Sequence, residues 1–453
     1  MNARPYVVIG AGWAGLTAAL DLVAAGQSVV VLEAAAQAGG RARSLTLNGG
    51  GTVLDNGQHL LVGACQATLA NMRRVGVDPD SALDALPFGL SFWAPQESLI
   101  PEGERVERIS RRPLFALQPR SPHPLALSQA LWQATQGLGN WKERSRWLAG
   151  SARLLYQTPP KHYSVQQWLQ QSWQPPVLIE RLWEPLCLAI MNCPPEQASA
   201  AMLHNVLRQT LRGGPQAARL LIPKRPLGAL FPDPALDHLR HSGAQVRLGW
   251  RVTHLQRHGP AHYSLHNRAG EVLEACGIIL ATSPQAAARL LEGHPELAAT
   301  QQAVHNLRAR SICTVYLRYA QPITHLPPLT GLLGQYGQWL IPRAVSGEPH
   351  WLAVVISAAE SVLPPDHHAL ESWVAQQLQA TFPELGQPVS GQRICERQAT
   401  LDPYPGLDAQ RPVSQTAWPE LRLAGDYCTP GLPSTLEAAV LSGHAVARDI
   451  LRT

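Results

Sequence analysis

The chain is poor in charge and has no closely spaced cysteine pairs. Asp, Glu, Lys and Arg make up 15% of its 453 residues, and the net charge is only +5. Without a clustered stripe of Lys and Arg, the sequence predicts no nucleic-acid partner. The seven cysteines are widely spaced without a CxxC motif, which predicts neither a disulfide framework nor a zinc site. We therefore expect no bound metal, and the ordinary 45% apolar content indicates a globular protein.

Long hydrophobic runs are also missing. No uninterrupted apolar stretch reaches the roughly 18–20 residues that a bilayer span requires. The chain enters its first strand without the charged and apolar regions of a signal peptide. We predict a cytoplasmic protein, or one attached peripherally to the inner face of the cell membrane. The basic patches Arg105–Arg112 and Lys142–Arg146 are typical of a solvated surface, and the alternative is attraction to an anionic membrane.

The most informative pattern is at the N-terminus. The apolar run Tyr6–Ile9 predicts a buried parallel strand. The turn GAGWAG follows at residues 10–15, and a helical pattern then continues to Gly26. A second apolar run, Ser28–Leu32, leads into Glu33. Glycines between a strand and a helix, with an acid about twenty residues further on, form the full fingerprint of a dinucleotide-binding βαβ unit.

Each position of this fingerprint has a physical role. Gly10 permits the tight turn, Gly12 lacks the Cβ that would block a pyrophosphate, and Gly15 lets the helix lie close to the strand. The N–H groups and the positive dipole end of the helix then face the phosphates. Glu33 is placed to accept hydrogen bonds from ribose hydroxyls. The sequence therefore predicts an adenine dinucleotide site.

The block GGRARS at residues 39–44 distinguishes FAD from NAD. It resembles the motif that follows the acid in the superfamily of FAD-containing amine oxidases and carotenoid desaturases, and simple nicotinamide dehydrogenases lack it. Its glycines allow a close backbone approach, and Arg41 can offer its planar donor fork to the pyrophosphate. The alternative for Arg41 is a surface ion pair. The resemblance implies that the cofactor is FAD.

The C-terminal end resembles the second half of the same site. LRLAGD at 421–426 predicts a strand that leads to Asp426, and LPSTLEAAVLSG at 432–443 predicts a turn that opens a helix. The resemblance implies that Asp426 accepts a hydrogen bond from the ribityl or phosphate side of FAD. Backbone N–H groups near Thr435 and Leu436 would face the pyrimidine edge of the flavin. Ala438 stands where relatives often carry glycine, which would shift the helix slightly.

A more specific resemblance begins at Leu54. The run LDNGQHLLVGAC at 54–65 is similar to a stretch of the squalene-associated FAD-dependent desaturases, also called hydroxysqualene dehydroxylases, although Cys65 replaces a common aromatic. IPKRPL at 222–227 resembles another stretch of that family. With the glycine-rich, GGR and C-terminal motifs, the resemblance covers nearly the whole chain.

This resemblance implies a reaction. In that family the allylic hydroxyl of hydroxysqualene is lost and replaced by hydride from reduced FAD, which gives squalene for hopanoid synthesis. A hydroxyl leaves only after protonation, so a general acid is needed. We expect His59 to be that acid, with Gln58 and Asp55 as its catalytic neighbours. The alternative is a structural turn in which His59 only binds backbone, and Tyr404 is a further residue that could reach the flavin or simply pack in a loop.

Together the motifs define a predicted cofactor site. Val252 and Ala281 are included because the strands around them resemble the segment in which chains of the superfamily re-enter the FAD domain. The predicted FAD contacts are Gly10, Gly12, Ala14, Gly15, Glu33, Ala34, Gly40, Arg41, Ala42, Gly57, Gln58, His59, Val252, Ala281, Gly425, Asp426, Thr435, Leu436 and Ala439.

The predicted fold class is α/β, with a Rossmann-type FAD-binding domain interleaved with an α+β substrate domain and a mostly helical insertion. At this length two or more domains are expected. Strand patterns return at Val246–Leu255 and Cys276–Ala281. The predicted limits are 1–84 for the first part of the FAD domain, 85–225 for the helical substrate- or membrane-facing region, 226–304 for the second FAD part, 305–415 for the substrate domain and 416–453 for the C-terminal FAD part.

The helical region contains most of the tryptophans. One interpretation is that they pack in the core, and the other is that they line an apolar channel for a polyprenoid substrate or lie at a membrane interface. The six residues are Trp132, Trp141, Trp147, Trp168, Trp173 and Trp183.

Three other functions remain open at this level. A carotenoid or phytoene-type desaturase would share the FAD motifs and run hydride in the opposite direction. A flavin amine oxidase would need a lysine beside the flavin, and none of Lys142, Lys161 and Lys224 stands in such a position. A non-enzymatic flavin-binding partner that presents squalene is the third. No second nucleotide fingerprint supports direct use of NAD(P)H, so the electron donor stays open, and the sequence is compatible with a homo-oligomer.

Overall fold

The computed structural model describes residues 4–46, 51–95, 113–121, 123–334, 336–364, 366 and 368–452. The predicted basic patch Arg105–Arg112 lies outside these residues. The other basic patch, Lys142–Arg146, lies on a helix of the described part.

The described structure contains many strands, most of which are short. In chain order they are β1 Tyr6–Ile9, β2 Val29–Leu32, β3 Ser44–Thr46, β4 Val53–Asp55, β5 Leu61–Val62, β6 Leu83–Leu86, β7 Leu90–Trp93, β8 Phe115–Leu117, β9 Leu220–Pro223, β10 Gln245–Arg247, β11 Val252–Gly259, β12 His262–Asn267, β13 Val272–Ala275, β14 Gly277–Leu280, β15 Ala309–Arg318, β16 Thr330–Leu332, β17 Trp339–Pro342, β18 Trp351–Ser357, β19 Ser390–Leu401 and β20 Leu421–Leu423.

The helices concentrate in the middle of the chain. They are α1 Trp13–Ala24, α2 Gln66–Arg74, α3 Pro79–Ala82, α4 Pro124–Ala134, α5 Trp141–Tyr156, α6 Val165–Gln171, α7 Pro176–Leu178, α8 Glu184–Met191, α9 Ala200–Arg212, α10 Leu227–Leu230, α11 Pro232–His241, α12 Pro284–Leu291, α13 Ala298–His305, α14 Ala359–Val362, α15 Leu370–Thr381 and α16 Leu436–Ile450.

A five-stranded parallel sheet carries the predicted dinucleotide motif. Its order is β10-β2-β1-β14-β20, so β1 lies between β2 and β14, and β20 from the C-terminal end lies beside β14. Val8 packs into the cluster formed with α1 and α16, whereas Val7 and Ile9 pack into the cluster on the other face. Burial on both faces explains why the strand is apolar throughout rather than alternating. The predicted α/β class with a Rossmann-type FAD domain is confirmed.

Two helices from opposite ends of the chain cover one face of this sheet. α1 and α16 pack tightly because small residues stand at their crossing. A Cβ built at Gly443 would lie 2.4 Å from the carbonyl oxygen of Ala14. The crossing therefore fixes the C-terminal helix against the first helix of the βαβ unit.

The substrate side is built on a seven-stranded mixed sheet. Its order is β19-β15-β18-β17-β16-β7-β8. Residues 85–225 are not purely helical as far as described, because β7 and β8 join this sheet. Strands of three or four residues are too short to show a period of two in the sequence. The domain limits inferred from the sequence stay a proposal.

Two further expectations need correction. The strand pattern Val246–Leu255 is not one strand, since β10 and β11 lie in different sheets and are separated by a turn at Gly249, which has a φ of +73°. The expectation of no disulfide is wrong for one pair, because Cys313 and Cys395 are bonded. They are opposite each other in β15 and β19, and their separation of 82 positions hides this pairing from the sequence.

Some tryptophans of the helical region are buried and others are exposed. Trp147, Trp168 and Trp183 are buried in the core, whereas Trp141 and Trp173 are exposed and Trp132 is half-buried. No helix of the described residues is both long enough and apolar enough to cross a membrane.

Candidate functional site

The glycine-rich turn connects β1 to α1 at the carboxyl edge of the parallel sheet. Gly10 has a φ of +109°, and a Cβ there would lie 2.4 Å from the carbonyl oxygen of Ala281. A Cβ at Gly15 would lie 2.0 Å from the carbonyl oxygen of Gly10, so the helix starts in direct contact with the turn. A Cβ at Gly12 would meet no described atom within 4 Å. Gly12, the residue that precedes the helix, therefore faces open space at the helix N-terminus, which suits a phosphate.

Glu33 lies directly after β2, beside this turn. Its carboxylate accepts hydrogen bonds from the N–H groups of Ala11 and Ala35, both at 2.8 Å. These bonds hold the side chain at the end of the strand, where the fingerprint predicts a ribose. Ala34, the next residue, is exposed.

The GGR block lies against the same turn. Gly39 donates a hydrogen bond from its N–H to the carbonyl of Ala11 at 2.8 Å, and Gly40 approaches Gly12 so closely that a Cβ would be 3.4 Å from its Cα. Ala42 is buried, and its carbonyl accepts a hydrogen bond from the indole of Trp13 at 3.2 Å. The two glycine motifs therefore form one continuous backbone surface.

Arg41 connects the N-terminal motif to the C-terminal one. Its guanidinium forms an ion pair with Asp426 and donates a hydrogen bond to the carbonyl of Ala399 at 2.9 Å. Burial opposes the charge of Asp426, but Arg41 and the nearby Ser434 outweigh it and hold the pKa of Asp426 below its ordinary value. Both predicted residues therefore lie together and are charged.

One atom of this ion pair is unpaired. The Oδ2 atom of Asp426 is buried, and it accepts no hydrogen bond of regular geometry from the described residues. A buried carboxylate oxygen without a hydrogen-bond partner destabilises the fold unless a bound ligand donates a hydrogen bond to it. Together with the open space at Gly12, this acceptor fits the hydroxyl-rich and phosphate-rich chain of FAD.

The C-terminal helix begins as predicted. α16 starts at Leu436, and the side chain of Thr435 accepts a hydrogen bond from the N–H of Ala438 at 3.1 Å. Thr435 is exposed, while Leu436 and Ala439 are half-buried. Gly425 precedes Asp426 and donates a hydrogen bond to the hydroxyl of Ser442 at 2.9 Å. The free N–H groups at this helix start are oriented to favour negative charge.

The predicted DNGQH turn follows β4 and is held by the substrate sheet. Asp55 accepts hydrogen bonds from the Ser44 hydroxyl at 3.0 Å and from the N–H of Leu227 at 2.9 Å. Leu227 ends the IPKRPL motif, so the two family motifs are in contact. The carbonyl of Asp55 accepts a hydrogen bond from the hydroxyl of Tyr316, in β15, at 2.9 Å.

A buried arginine, which the sequence did not indicate, lies at the centre of this turn. Arg343 is 2% exposed and donates a hydrogen bond to Oε1 of Gln58 at 2.8 Å. The same nitrogen is 3.9 Å from Oδ2 of Asp55. Arg343 therefore links two of the three predicted catalytic residues, and its charge balances that of Asp55.

His59 is the third of these residues and is half-buried. Its Nδ1 is 2.7 Å from the carbonyl oxygen of Gly57. Because a carbonyl only accepts hydrogen bonds, Nδ1 carries a proton, and Nε2 is the atom that gains or loses one. Burial lowers the pKa of His59, and it outweighs the opposing effects of Gly57 and Asp55.

The turn is also connected to the cofactor motifs. The side-chain amide of Asn56 donates to the carbonyl of Arg41 at 3.2 Å. The turn that carries His59 is therefore joined to the backbone of Arg41. Val252 is buried at the start of β11, and Ala281 donates a hydrogen bond from its N–H to the carbonyl of Ile9 at 2.8 Å.

Tyr404 has a simpler position. Its hydroxyl donates to Gln410 at 2.7 Å, and the Arg308 guanidinium lies 4.8 Å from its ring centroid. These contacts support the loop-packing alternative.

Two supporting residues are not among the predicted contacts. Arg411 is buried and donates hydrogen bonds to the carbonyls of Asp426, Thr429 and Leu432 at 2.6–2.8 Å, which fixes the loop before α16. Glu437 accepts hydrogen bonds from the N–H groups of Ala67 and Thr68 and thereby caps α2. Arg411 acts on carbonyls 15 to 21 positions ahead, and Glu437 acts on N–H groups up to 370 positions back. Both separations exceed the few residues that a local pattern covers.

Comparison with known proteins finds similarity over nearly the whole chain. Residues 13–451 match the family model of flavin-containing amine oxidoreductases. A hydroxysqualene dehydroxylase of Rhodopseudomonas palustris is 31% identical, with 98% of this chain and 97% of the relative aligned. One from Sinorhizobium fredii is 30% identical over 97% of this chain and 96% of the relative. A 15-cis-phytoene desaturase of Glycine max is more distant, at 21% identity over 98% of this chain and 79% of that protein.

Solved structures show the same fold. Putrescine oxidase bound to putrescine superposes with a TM-score of 0.70 over 100% of this chain and 99% of its own, at 16% sequence identity.

The open space at Gly12 generates a first prediction. Gly12 has a φ of −78° and a ψ of 177°, which alanine adopts freely, and the new Cβ would meet no described protein atom within 4 Å. Gly12→Ala should therefore fold normally and lose FAD affinity by at least about tenfold, because the methyl group occupies the pyrophosphate position. Flavin content per chain after reconstitution measures this, beside the melting temperature of the flavin-free protein.

Gly259→Ala is the matched control, since a Cβ there also meets no described atom within 4 Å. It should retain flavin. A Gly12→Ala protein with full flavin content would contradict the assignment of this space.

Proposed function

Because the chain belongs to the flavin-containing amine oxidoreductases and, within them, to the hydroxysqualene dehydroxylases, we propose that it uses FAD to convert hydroxysqualene to squalene in hopanoid synthesis. Similarity to two proteins of that name over nearly their whole length is the observation that carries this proposal. The contact between the DNGQH turn, the IPKRPL motif and Arg41 supports it, because the motifs of the resemblance meet at one place.

The proposed reaction breaks an allylic C–O bond and forms a C–H bond. Bound reduced FAD supplies the hydride, and the substrate hydroxyl leaves as water after it takes up one proton. The chain must supply that proton, hold the polyprenoid and keep bulk water from the allylic cation.

We propose His59 as the proton donor. Its Nδ1–H is fixed on the Gly57 carbonyl, so a proton on Nε2 is available to a substrate hydroxyl. Gln58 is held by Arg343 and would orient the substrate. Asp55 already accepts two hydrogen bonds and lies near Arg343, so a positioning role suits it better than proton donation.

We further propose peripheral membrane contact through α5 and the turn after α6, because a polyprenoid substrate resides in lipid. Trp141, Tyr156 and Trp173 are 65%, 55% and 41% exposed. The Arg146 and Arg153 guanidinium groups lie 5.5 and 5.7 Å from the ring centroid of Trp173. Exposed aromatic rings beside cations suit an anionic lipid interface. This supports a cytoplasmic protein attached to the inner face of the membrane.

The reaction itself gives the second prediction. Under anaerobic conditions, dithionite-reduced protein freed of excess reductant should convert hydroxysqualene to squalene, with one flavin reoxidised per squalene. Gas chromatography and flavin absorbance measure the two. Squalene without flavin reoxidation, or no squalene at all, would refute the proposal. Bleaching of oxidised protein by phytoene would instead support a desaturase.

The third prediction concerns pH. Because burial holds the pKa of His59 below its ordinary value of 6.5, the acid form is a minority at neutral pH. The single-turnover rate should fall about tenfold per pH unit above that pKa and level off below it. His59→Asn should abolish this slope and slow the reaction by about 10²–10⁴-fold with FAD still bound.

His241→Asn is the matched control for His59. His241 makes the same kind of contact, with its Nδ1 2.7 Å from the carbonyl of Asp237, but it is exposed in α11. It should leave rate and pH profile unchanged. A His59→Asn protein that keeps the wild-type slope would show that the turn is structural.

A fourth prediction tests the membrane contact. Replacing Trp141 and Trp173 together by Gln should weaken binding to vesicles with phosphatidylglycerol by about tenfold or more, since both rings lose a lipid environment. Cosedimentation measures the bound fraction. Val413→Gln, which removes an apolar side chain that is 74% exposed elsewhere, should not change it. Equal binding of the double variant and the wild type would contradict the proposed face.

A further inference from the structure

A group of imidazoles lies on the three-stranded sheet β11-β12-β13, apart from the catalytic residues. The antiparallel register pairs His254 with His266, and Ser264 with Glu274. β11 also contains His258 and β12 begins at His262. Nothing in the proposed reaction uses these side chains.

The hairpin between β11 and β12 brings two of the imidazoles together. Its final pair is Gly259 with His262, and the register shifts between Arg257 and Gly259. This bulge turns His258 toward His262, so that their ring centroids are 4.7 Å apart. Glu274 lies on the neighbouring strand, with its Oε2 2.5 Å from Nε2 of His262.

These three residues have the geometry of a metal site. His258, His262 and Glu274 can each offer one ligand atom such that all three atoms lie within 4.8 Å of one another. Ligand atoms around a tetrahedral zinc ion at about 2.0–2.2 Å are roughly 3.4 Å apart. Small side-chain rotations therefore suffice to close the site around an ion.

The hydroxyl of Ser264 orients the ring of one of these residues, His258. The Oγ atom of Ser264 lies 2.8 Å from Nε2 of His258 and 3.1 Å from Nε2 of His266, and Ser264 is buried. If Nε2 of His258 is occupied by this hydroxyl, its Nδ1 is left to bind a metal. Metal-binding histidines commonly have such a partner on the second nitrogen, which fixes the ring.

We propose that His258, His262 and Glu274 bind one divalent transition-metal ion of the zinc class, with water as the fourth ligand. Two imidazoles and a carboxylate are ligands that zinc accepts in sites with an open position. Arg4, whose Nε lies 3.7 Å from Oε2 of Glu274, competes for that carboxylate. The ion would join the hairpin end of β11 and β12 to β13. This site does not depend on the proposed catalytic function.

The test uses untagged, FAD-loaded protein that has been treated with a chelator and dialysed. Titration with zinc chloride by calorimetry, with zinc per chain measured by atomic absorption, should show one ion per chain and a higher melting temperature. Ser264→Ala should weaken binding by about 10–100-fold, and His258→Ala and His262→Ala should each weaken it by more. Glu274→Gln, which changes shape little, should also weaken it and guards against misfolding of the histidine variants.

His305→Asn, an exposed histidine at the end of α13, is the control and should bind zinc like the wild type. Absence of zinc binding by the wild-type protein would overturn the proposal. Equal affinity of the Glu274→Gln and His258→Ala variants with the wild type would overturn it as well, because the ion would then be bound elsewhere.

Discussion

The ion pair between Arg41 and Asp426 joins two segments that are 385 residues apart in the chain. Arg41 is held by the glycine motifs of the first βαβ unit, and Asp426 by the strand and loop that lead into the last helix. The pair therefore determines where the C-terminal N–H groups face relative to the glycine turn. Because one oxygen of Asp426 stays unpaired in the described structure, the same pair also leaves an acceptor for the cofactor.

The predicted catalytic turn, DNGQH, is connected to Arg41 of this ion pair. The DNGQH turn is hydrogen-bonded on one side to Arg41 of the FAD-binding motif through Asn56. On the other side it is hydrogen-bonded to Tyr316 and Arg343 of the substrate side. A buried arginine beside a buried carboxylate is stable only when both are well paired, and removal of one partner of such a pair costs about 3–5 kcal/mol. The turn that contains Gln58 and His59 is thus held by contacts with residues far apart in the chain.

Local patterns could predict the parts of the site whose physics is local. The glycines at 10, 12 and 15, Glu33 and the helix start at Leu436 follow from turn geometry, strand ends and capping within a few residues. Arg343 and Glu437 could not be found this way, because each acts on a segment far away in sequence. Arg411 acts 15 positions ahead, which is also beyond the span of a capping or turn pattern. β7 and β8 escaped notice for a different reason: three or four residues contain too little periodicity. The Cys313–Cys395 bond likewise depends on strand register.

The strand order of the parallel sheet has a consequence for synthesis. β1 and β2 leave the ribosome first, but β14 and β20, which complete the sheet, come from residues 277–280 and 421–423. During translation the nascent chain therefore exposes an apolar strand edge for most of its length, which invites aggregation or chaperone binding. Since Asp426 and Thr435 are also predicted FAD contacts, we expect truncated products that end before them to bind flavin poorly although they contain the glycine turn intact.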